Sequence, residues 1–410
     1  MSETGKADVV LAGGGMVGLT IGLALAQGGL KVTIAEPMPE SVQTDAKFDG
    51  RVSALSYASV RLFTALGVWP HLAPHAQAIH DILVTDGKLG GEVSPFSLHF
   101  DAAELGENAL GHIVENRHIR LGLFAAAAEE KNLTLLSSTA LTDLSADSHG
   151  IDATLSKGEK IRAQLAVAAD GRQSPMRDRM DIRLVGWSYP QIGIVTTVEH
   201  ERPHNGVAYE HFLSSGPFAI LPMTGNRSSL VWTEKETLAP KMMGLSDIAF
   251  DDEISRRFGA HLGRTKAVGP RWSYPLKFHM AREFVKPRFA LAGDAAHGIH
   301  PIAGQGLNLG LKDAAALAET LIDSARLGLD IGGLETLKRY ERWRRFDSFA
   351  LSVSTDALNR LFSNDIAPLR VLRDIGMGIV DQIGPARRFF MRHAGGDVGK
   401  LPRLMRGEAV

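Results

Sequence analysis

Hydrophobic and polar positions alternate in two different textures along the chain. Four short runs are almost unbroken in apolar character: Asp8 to Ala12, Lys31 to Ala35, Leu165 to Ala169 and Phe289 to Ala292. Each ends at a glycine or an acid (Gly13, Glu36, Asp170, Gly293), the pattern of strands buried on both faces of a parallel sheet. Leu19 to Gln27 reads as the helix between the first two. Leu307, Leu309, Leu311, Ala314, Ala315 and Leu317 give a second helical run, interrupted once by Lys312-Asp313. A different texture fills the middle. Ile192 to Val198, Val207 to Leu213, Phe218 to Leu221 and Ser228 to Thr233 are short strands separated by turn residues, which predicts an antiparallel sheet inserted into the parallel one.

The expected fold is therefore α/β with an α+β insert. A Rossmann-type domain built from residues 1–75, 105–180 and 283–335 is interleaved with an antiparallel-sheet substrate domain from 76–104 and 181–282, and a helical region follows from 336 to 410.

Candidate chemistry sits where the apolar runs end. Gly13-x-Gly15-x-x-Gly18 follows the first strand and opens a helix, and Glu36 ends the second strand. Such glycines permit a tight turn and close approach to a pyrophosphate, and the acid accepts hydrogen bonds from a ribose. This unit alone does not separate FAD from NAD. Gly293-Asp294 ends the fourth run, where open α/β sheets bind ligands, and the loop through Gly298, Pro301, Gly304 and Gly306 feeds the next helix. Glycine there lets backbone approach a flat ligand, and the unpaired N–H groups of the helix start favour an anion or a ring that becomes anionic. Three further stretches have similar character. Phe48 to Ser56 is a polar loop entering an expected helix from Ser53 to Leu66, Glu115 to Leu121 opens a helix reaching Glu130, and Asp170-Gly171 forms a turn followed by Arg172 and Arg177.

The run His300-Pro301-Ile302-Ala303-Gly304-Gln305-Gly306-Leu307-Asn308-Leu309-Gly310-Leu311-Lys312-Asp313 resembles the signature of the ubiquinone-biosynthesis hydroxylases, a branch of the single-component flavin-dependent aromatic hydroxylases. The resemblance implies FAD as cofactor. It places Arg51 against the flavin and its ribityl–phosphate chain, Arg117 at a helix start reaching the cofactor, and Asp170 near the pyrophosphate. It also assigns Gly293, Gly304, Gln305, Gly306, Leu307 and Asn308 to the flavin loop. Asp294 is expected to hold the ribityl chain. The implied reaction uses molecular oxygen and a flavin C4a-hydroperoxide to hydroxylate the ring of a polyprenylated phenol, with NAD(P)H or another electron donor supplying electrons. Phe218, Leu221 and Pro301 are the expected substrate wall. Two alternatives stay open: a hydroxylase of a small soluble aromatic compound, and a non-catalytic flavoprotein subunit of a quinone-biosynthesis complex.

Composition narrows the chemistry. The chain has no cysteine, which removes disulfides, thiolate nucleophiles, iron–sulfur clusters and cysteine zinc sites; redox work needs a bound organic cofactor. With 45 basic and 46 acidic side chains, nothing points to nucleic acid. His297 and His300 lack a third ligand in view, so no metal is expected, and no G-x-S-x-G elbow occurs. Neither a signal peptide nor a membrane span is read, so a cytoplasmic location is the default. The tail carries Arg339, Arg342, Arg344 and Arg345, then an apolar series from Ile366 to Val380 and a basic cluster from Arg387 to Arg392. Two readings stay open for it: helices packed on the core or on a second subunit of a homo-oligomer, and a peripheral surface resting on anionic lipid at the inner face of a membrane.

Overall fold

Side by side, the four apolar runs form the centre of one sheet. In a computed structural model that describes residues 5–87, 93–300, 304–362, 383–397 and 399–410, six strands lie in the order Val285–Lys286, Phe289–Leu291, Leu165–Ala168, Val9–Ala12, Val32–Ala35 and Leu133–Leu136. All neighbours are parallel except the first pair. Helix α1 (Met16–Gln27) follows the first apolar run, and α2 (Gln305–Arg326) packs beside it. A Cβ on Gly310 would lie 2.8 Å from Val17, and one on Gly28 would lie 2.2 Å from Ile322. The two helices thus run in the same direction at close range, with both N-termini at the carboxyl ends of the strands.

The insert is larger than the polarity pattern suggested. Eight strands are ordered His297–Gly298, Thr265–Ala281, Leu184–His200, Arg227–Lys235, Gly216–Met223, Val207–Leu213, Asp81–Gly87 and Val93–Asp101. Residues 81–87 pair in parallel with 207–213, and every other neighbour is antiparallel. The strand 265–281 escaped the sequence reading because Pro270 and Pro275 interrupt it, as Pro190 interrupts its partner. Proline cannot donate to a ladder, and the register of this pair shifts between Ser188 and Ile192 and between Val195 and Thr197. One face of the sheet is covered by the helix Asp247–Phe258, whose Phe250, Ile254 and Phe258 pack on Phe218, Ile220 and Trp232. The other face looks toward α1 and α2 across a cavity.

Two local expectations change. Residues 53–56 belong to a strand, Val52–Ser56, paired with Gly111–Glu115; the helix begins only at Tyr57, where Ser56 Oγ accepts the Ser59 N–H at 3.2 Å. A serine cap at that point, preceded by β-type alternation, decides the boundary. In the tail, helix α3 (Leu334–Phe362) lies against α2. Arg344 is fully buried, so it belongs to the interior rather than to a basic surface. The apolar series 366–380 lies outside the described residues. Among the described residues, no helix is long and apolar enough to cross a membrane.

Candidate active site

Both parallel helices begin at the same cavity, about 1370 Å³ in volume. Gly15 and Met16 line it from the start of α1, and Gly304, Gln305 and Gly306 from the start of α2. Neither N-terminus has a side-chain cap or an acid in its first turn. Their free N–H groups and the positive ends of two helix dipoles therefore face one space. Gly15 and Gly306 have nothing within 4 Å of a would-be Cβ, so backbone is presented bare to whatever fills the cavity. Asp294 is exposed on the wall, and among the described residues no hydrogen bond reaches its carboxylate. Two anion-seeking helix ends with a hydroxyl-accepting acid between them fit an FAD, with its diphosphate, polyhydroxy chain and electron-poor ring.

The other two glycines of the first turn serve approach of protein to protein. Gly13 has φ of +96°, and its Cβ would lie 2.5 Å from the Ala169 carbonyl oxygen; a Cβ on Gly18 would lie 1.9 Å from the Gly13 oxygen. Glu36 is buried, and each of its oxygens takes one amide, from Gly14 at 2.6 Å and Met38 at 2.8 Å. It shapes the glycine turn from behind and is not part of the cavity wall.

A buried charge cluster fixes the loop that carries Asp294. Asp313 Oδ2 accepts from the Gly293 N–H at 2.9 Å and pairs with His297 Nε2 at 2.7 Å, while its Oδ1 accepts from Arg344 Nε at 2.7 Å. Arg344 and Lys312 both reach Asp347, each at 2.9 Å. Burial alone would raise the Asp313 carboxyl, but the His297 and Arg344 charges and hydrogen bonds hold it below the ordinary range. His297 is thus a partner of this carboxylate. The visible signal for the cluster was the Lys312-Asp313 interruption of an apolar helix; its partners, 16 and 31 residues away, carry no local pattern.

The remaining predicted residues separate into those on the wall and those behind it. Arg51 lines the cavity, held by Asp49 at 2.6 Å with its guanidinium 5.5 Å from the Trp272 ring centre. Leu307 and Asn308 also line it. The Asn308 amide is largely committed inside the protein: Oδ1 accepts from Ser56 N at 3.0 Å and Ser59 Oγ at 2.8 Å, and Nδ2 donates to the Ala54 carbonyl at 2.8 Å. It ties α2 to the strand Val52–Ser56, which directly follows Arg51. Gly293, with φ of +60°, turns the chain so that its neighbour Asp294 faces the cavity. Arg117 is turned away, bonded to Glu115 at 2.8 Å and to the Ala46 carbonyl, and Asn116 occupies the wall instead. Asp170 lies behind Ala169 and Gly171, which are on the wall. Its Oδ2 accepts from Met176 N at 3.2 Å, its buried Oδ1 has no partner among the described residues, and burial pushes the carboxyl up.

The sheet side needs one correction. Phe218 is fully buried on the far face of the eight-stranded sheet, against Trp232 and the helix 247–258. Side chains alternate along a strand, so its neighbours Pro217 and Ala219 face the cavity, as does Leu221. Choosing Phe218 and Leu221 together combined opposite parities. Pro301 lies outside the described residues. The loop's other histidine, His300, is buried edge-on to Tyr189 with ring centres 5.0 Å apart, and burial pushes it down to about 4; it stays neutral at physiological pH.

Comparison with known proteins agrees with this geometry. A family model described as "FAD binding domain" matches residues 6–346. The chain is 48% identical over 405 residues to ubiquinone hydroxylase UbiL of Rhodospirillum rubrum, covering 98% of this chain and 93% of that protein. It is 34% identical to the 3-demethoxyubiquinol 3-hydroxylase of Escherichia coli, covering 94% and 98%. It is 30% identical to the human mitochondrial ubiquinone biosynthesis monooxygenase COQ6, covering 94% and 92%. In three dimensions it resembles p-nitrophenol 4-monooxygenase PnpA from Pseudomonas putida DLL-E4, with a TM-score of 0.79 at 18% identity over 97% of this chain and all of that one, which shows a common fold. The chain binds FAD through a domain covering most of its length, and it belongs to the family of FAD-dependent monooxygenases that includes the ubiquinone-biosynthesis hydroxylases.

Proposed function

We propose that this protein hydroxylates the aromatic ring of a polyprenylated phenol in ubiquinone biosynthesis. The observation that carries the reading is the continuity of one cavity from the two helix starts to an apolar sheet face. Its volume of about 1370 Å³ exceeds the roughly 300–1,000 Å³ of a typical single-ligand site, so cofactor and a large substrate are accommodated together. When bound, FAD supplies the electrons and activates the oxygen. The amides of Gly15 and Met16 would hold the diphosphate, the Asp294 carboxylate would accept from ribityl hydroxyls, and the start of α2 would direct positive charge at the ring where reduction leaves negative charge. Ile82, Val84, Phe212, Leu221 and Val231 on the sheet wall hold apolar substrate and exclude water.

A single turnover tests this without knowledge of the electron donor. FAD-loaded protein, reduced chemically without air and then mixed with oxygen and 2-prenylphenol, should yield a ring-hydroxylated product in proportion to flavin. Product from small soluble phenols but none from 2-prenylphenol would shift the substrate to the soluble class. Flavin reoxidation yielding only peroxide with every phenol would favour a non-catalytic subunit.

The substrate's prenyl chain gives a reason for membrane contact, and one exposed patch suits it. Phe346 and Phe349 on α3 are 74% and 55% exposed beside Trp187 and Val185, around a second cleft of about 560 Å³ flanked by Arg342 and Arg345. The cleft's two acids are engaged, Glu341 by Lys338 and Asp356 by the Tyr189 hydroxyl, and apolar side chains flanked by arginines suit a surface that rests on anionic lipid. The doubly substituted F346D/F349D protein is expected to lose flotation with phosphatidylserine vesicles while keeping its FAD. Equal flotation of both proteins would place the contact elsewhere or remove it.

A further inference from the structure

On the cavity face of the eight-stranded sheet, one carboxyl stands alone in an apolar row. Strand register aligns Leu98, Val84, Glu210, Ala219, Val231 and Val195 across six adjacent strands, and all six residues line the cavity. Glu210 is the single polar member and sits near the middle. Among the described residues, no hydrogen bond or ion pair reaches its carboxyl. Glu210 is half-buried in this wall, and a carboxyl set in apolar surroundings without a partner costs stability, so a hydrophobic residue would serve the wall better if packing were its only task. Among the described residues, the cavity's other charged side chains, Arg51, Arg172 and Asp294, come from the loops and helix starts of the cofactor end.

We propose that Glu210 is a catalytic residue, the proton acceptor for the ring hydroxyl of the phenolic substrate. This rests on the phenol reading above. The step is a proton transfer with no change of oxidation state: the phenol O–H bond breaks, a carboxyl O–H bond forms on Glu210, and the electron pair stays on the phenolate oxygen. That pair enriches the ring carbons ortho and para to the oxygen, which are then better nucleophiles toward an electrophilic oxygen. Within the row Glu210 is the one acceptor the phenol hydroxyl meets; the Ser229 and Thr233 hydroxyls, on the rows to either side of Val231, are far weaker bases than a carboxylate.

Burial pushes the Glu210 carboxyl up to about 8. A base of that strength lies within about two units of a phenol near 10, a workable match for proton transfer. Neighbouring groups leave the carboxyl to itself. His211 points to the opposite face, where Nδ1 meets Thr85 Oγ1 at 2.6 Å. On the adjoining strand Asp81 pairs with His99 at 2.7 Å, and Asp86 is buried two residues beyond Val84. Strand 216–223 carries no titratable side chain. Asp356 of α3 accepts from the Tyr189 hydroxyl, and Arg387 of the helix Gly384–Ala394 pairs with Glu104.

Glu210→Gln is the test, since the amide keeps the shape of the neutral acid and leaves folding and FAD binding as internal controls. Single turnovers of 2-prenylphenol are followed from pH 6 to pH 10, together with binding of the phenol to the oxidised protein, read from the flavin spectrum. In the unaltered protein the rate should rise with pH through about 8, because the acceptor is the ionised carboxylate; at equilibrium the proton stays mainly on the phenol, whose own ionisation lies about two units higher. The variant should be slower at pH 8 by roughly 10²–10⁴-fold, with its rise displaced toward the phenol's own ionisation near pH 10, while still perturbing the flavin spectrum when the phenol binds. Equal rates and an unchanged pH dependence of the rate in the variant would overturn the role of Glu210 and leave the phenol reading intact. Failure of the unaltered protein to bind or hydroxylate any phenol would overturn that reading, and this proposal with it.

Discussion

Replacing Asp313 by alanine is expected to destabilise the protein by about 3–5 kcal/mol, the range for removing one partner of a buried ion pair, and to release FAD. The side chain is fully buried, and it joins three pieces of chain: the Gly293 amide, His297 in the loop, and Arg344 of α3. Without it the Arg344 guanidinium, itself fully buried, keeps Asp347 as its one carboxylate partner among the described residues. The loop then loses the bond that orients Gly293, and with it the placement of Asp294 on the cavity wall. Asp313→Asn should be milder, because an amide oxygen still accepts from Arg344 or Gly293 although the charge is gone. The cluster also sets an acid limit. Asp313 has its carboxyl lowered from the ordinary 3.8; its contribution is fully present above that value and is lost as pH falls through the lower native one. Thermal melts paired with the flavin-to-protein absorbance ratio of the purified variants measure both effects. An Asp313→Ala protein that melts with the unaltered one and retains full FAD would show that the cluster does not hold the loop.

What the sequence made legible divides along physical lines. Continuous apolar strands, the glycine turn and the glycines before α2 were readable because each is a local requirement: burial on both faces, a positive φ, or a close backbone approach. The same reasoning recovered the strand Val207–Leu213 at its true limits, since its polar ends and turns are local too. Three things were not local. The strand 265–281 tolerates prolines because its partner's register slips opposite them, and no single segment records that. The face presented by Phe218 depends on the pleat of the strand Gly216–Met223, and the helix 247–258 decides which parity is interior. Arg117 and Glu36 carry the residue types of ligand contacts yet spend their hydrogen bonds on backbone and on Glu115. A motif fixes residue type and spacing; it does not fix which of two partners takes the hydrogen bond.

Two alanine substitutions three residues apart in the first glycine turn should fail in different ways. At Gly18 a new Cβ would lie 1.9 Å from the Gly13 carbonyl oxygen. Backbone cannot yield as a flexible side chain can, so α1 must move off the strand Val9–Ala12. Overpacking of this kind costs about 1–3 kcal/mol or more, and the loss should appear in the melting temperature whether or not FAD is present. At Gly15 nothing lies within 4 Å of the added carbon and its φ of −72° is open to alanine; as the N-cap of α1 it is a position where alanine is less favoured than glycine, so the FAD-free protein should lose no more than about 1 kcal/mol. The methyl group instead enters the cavity at the uncapped start of α1, where the diphosphate is proposed to sit. A clash of about 1–3 kcal/mol there corresponds to a loss of roughly 5- to 150-fold in FAD affinity. Titration of FAD into the stripped proteins, with melts of both forms, separates the two cases. If Gly15→Ala bound FAD as tightly as the unaltered protein, the diphosphate could not lie against the start of α1, and the cofactor would have to be turned so that this open end of the cavity faces another group.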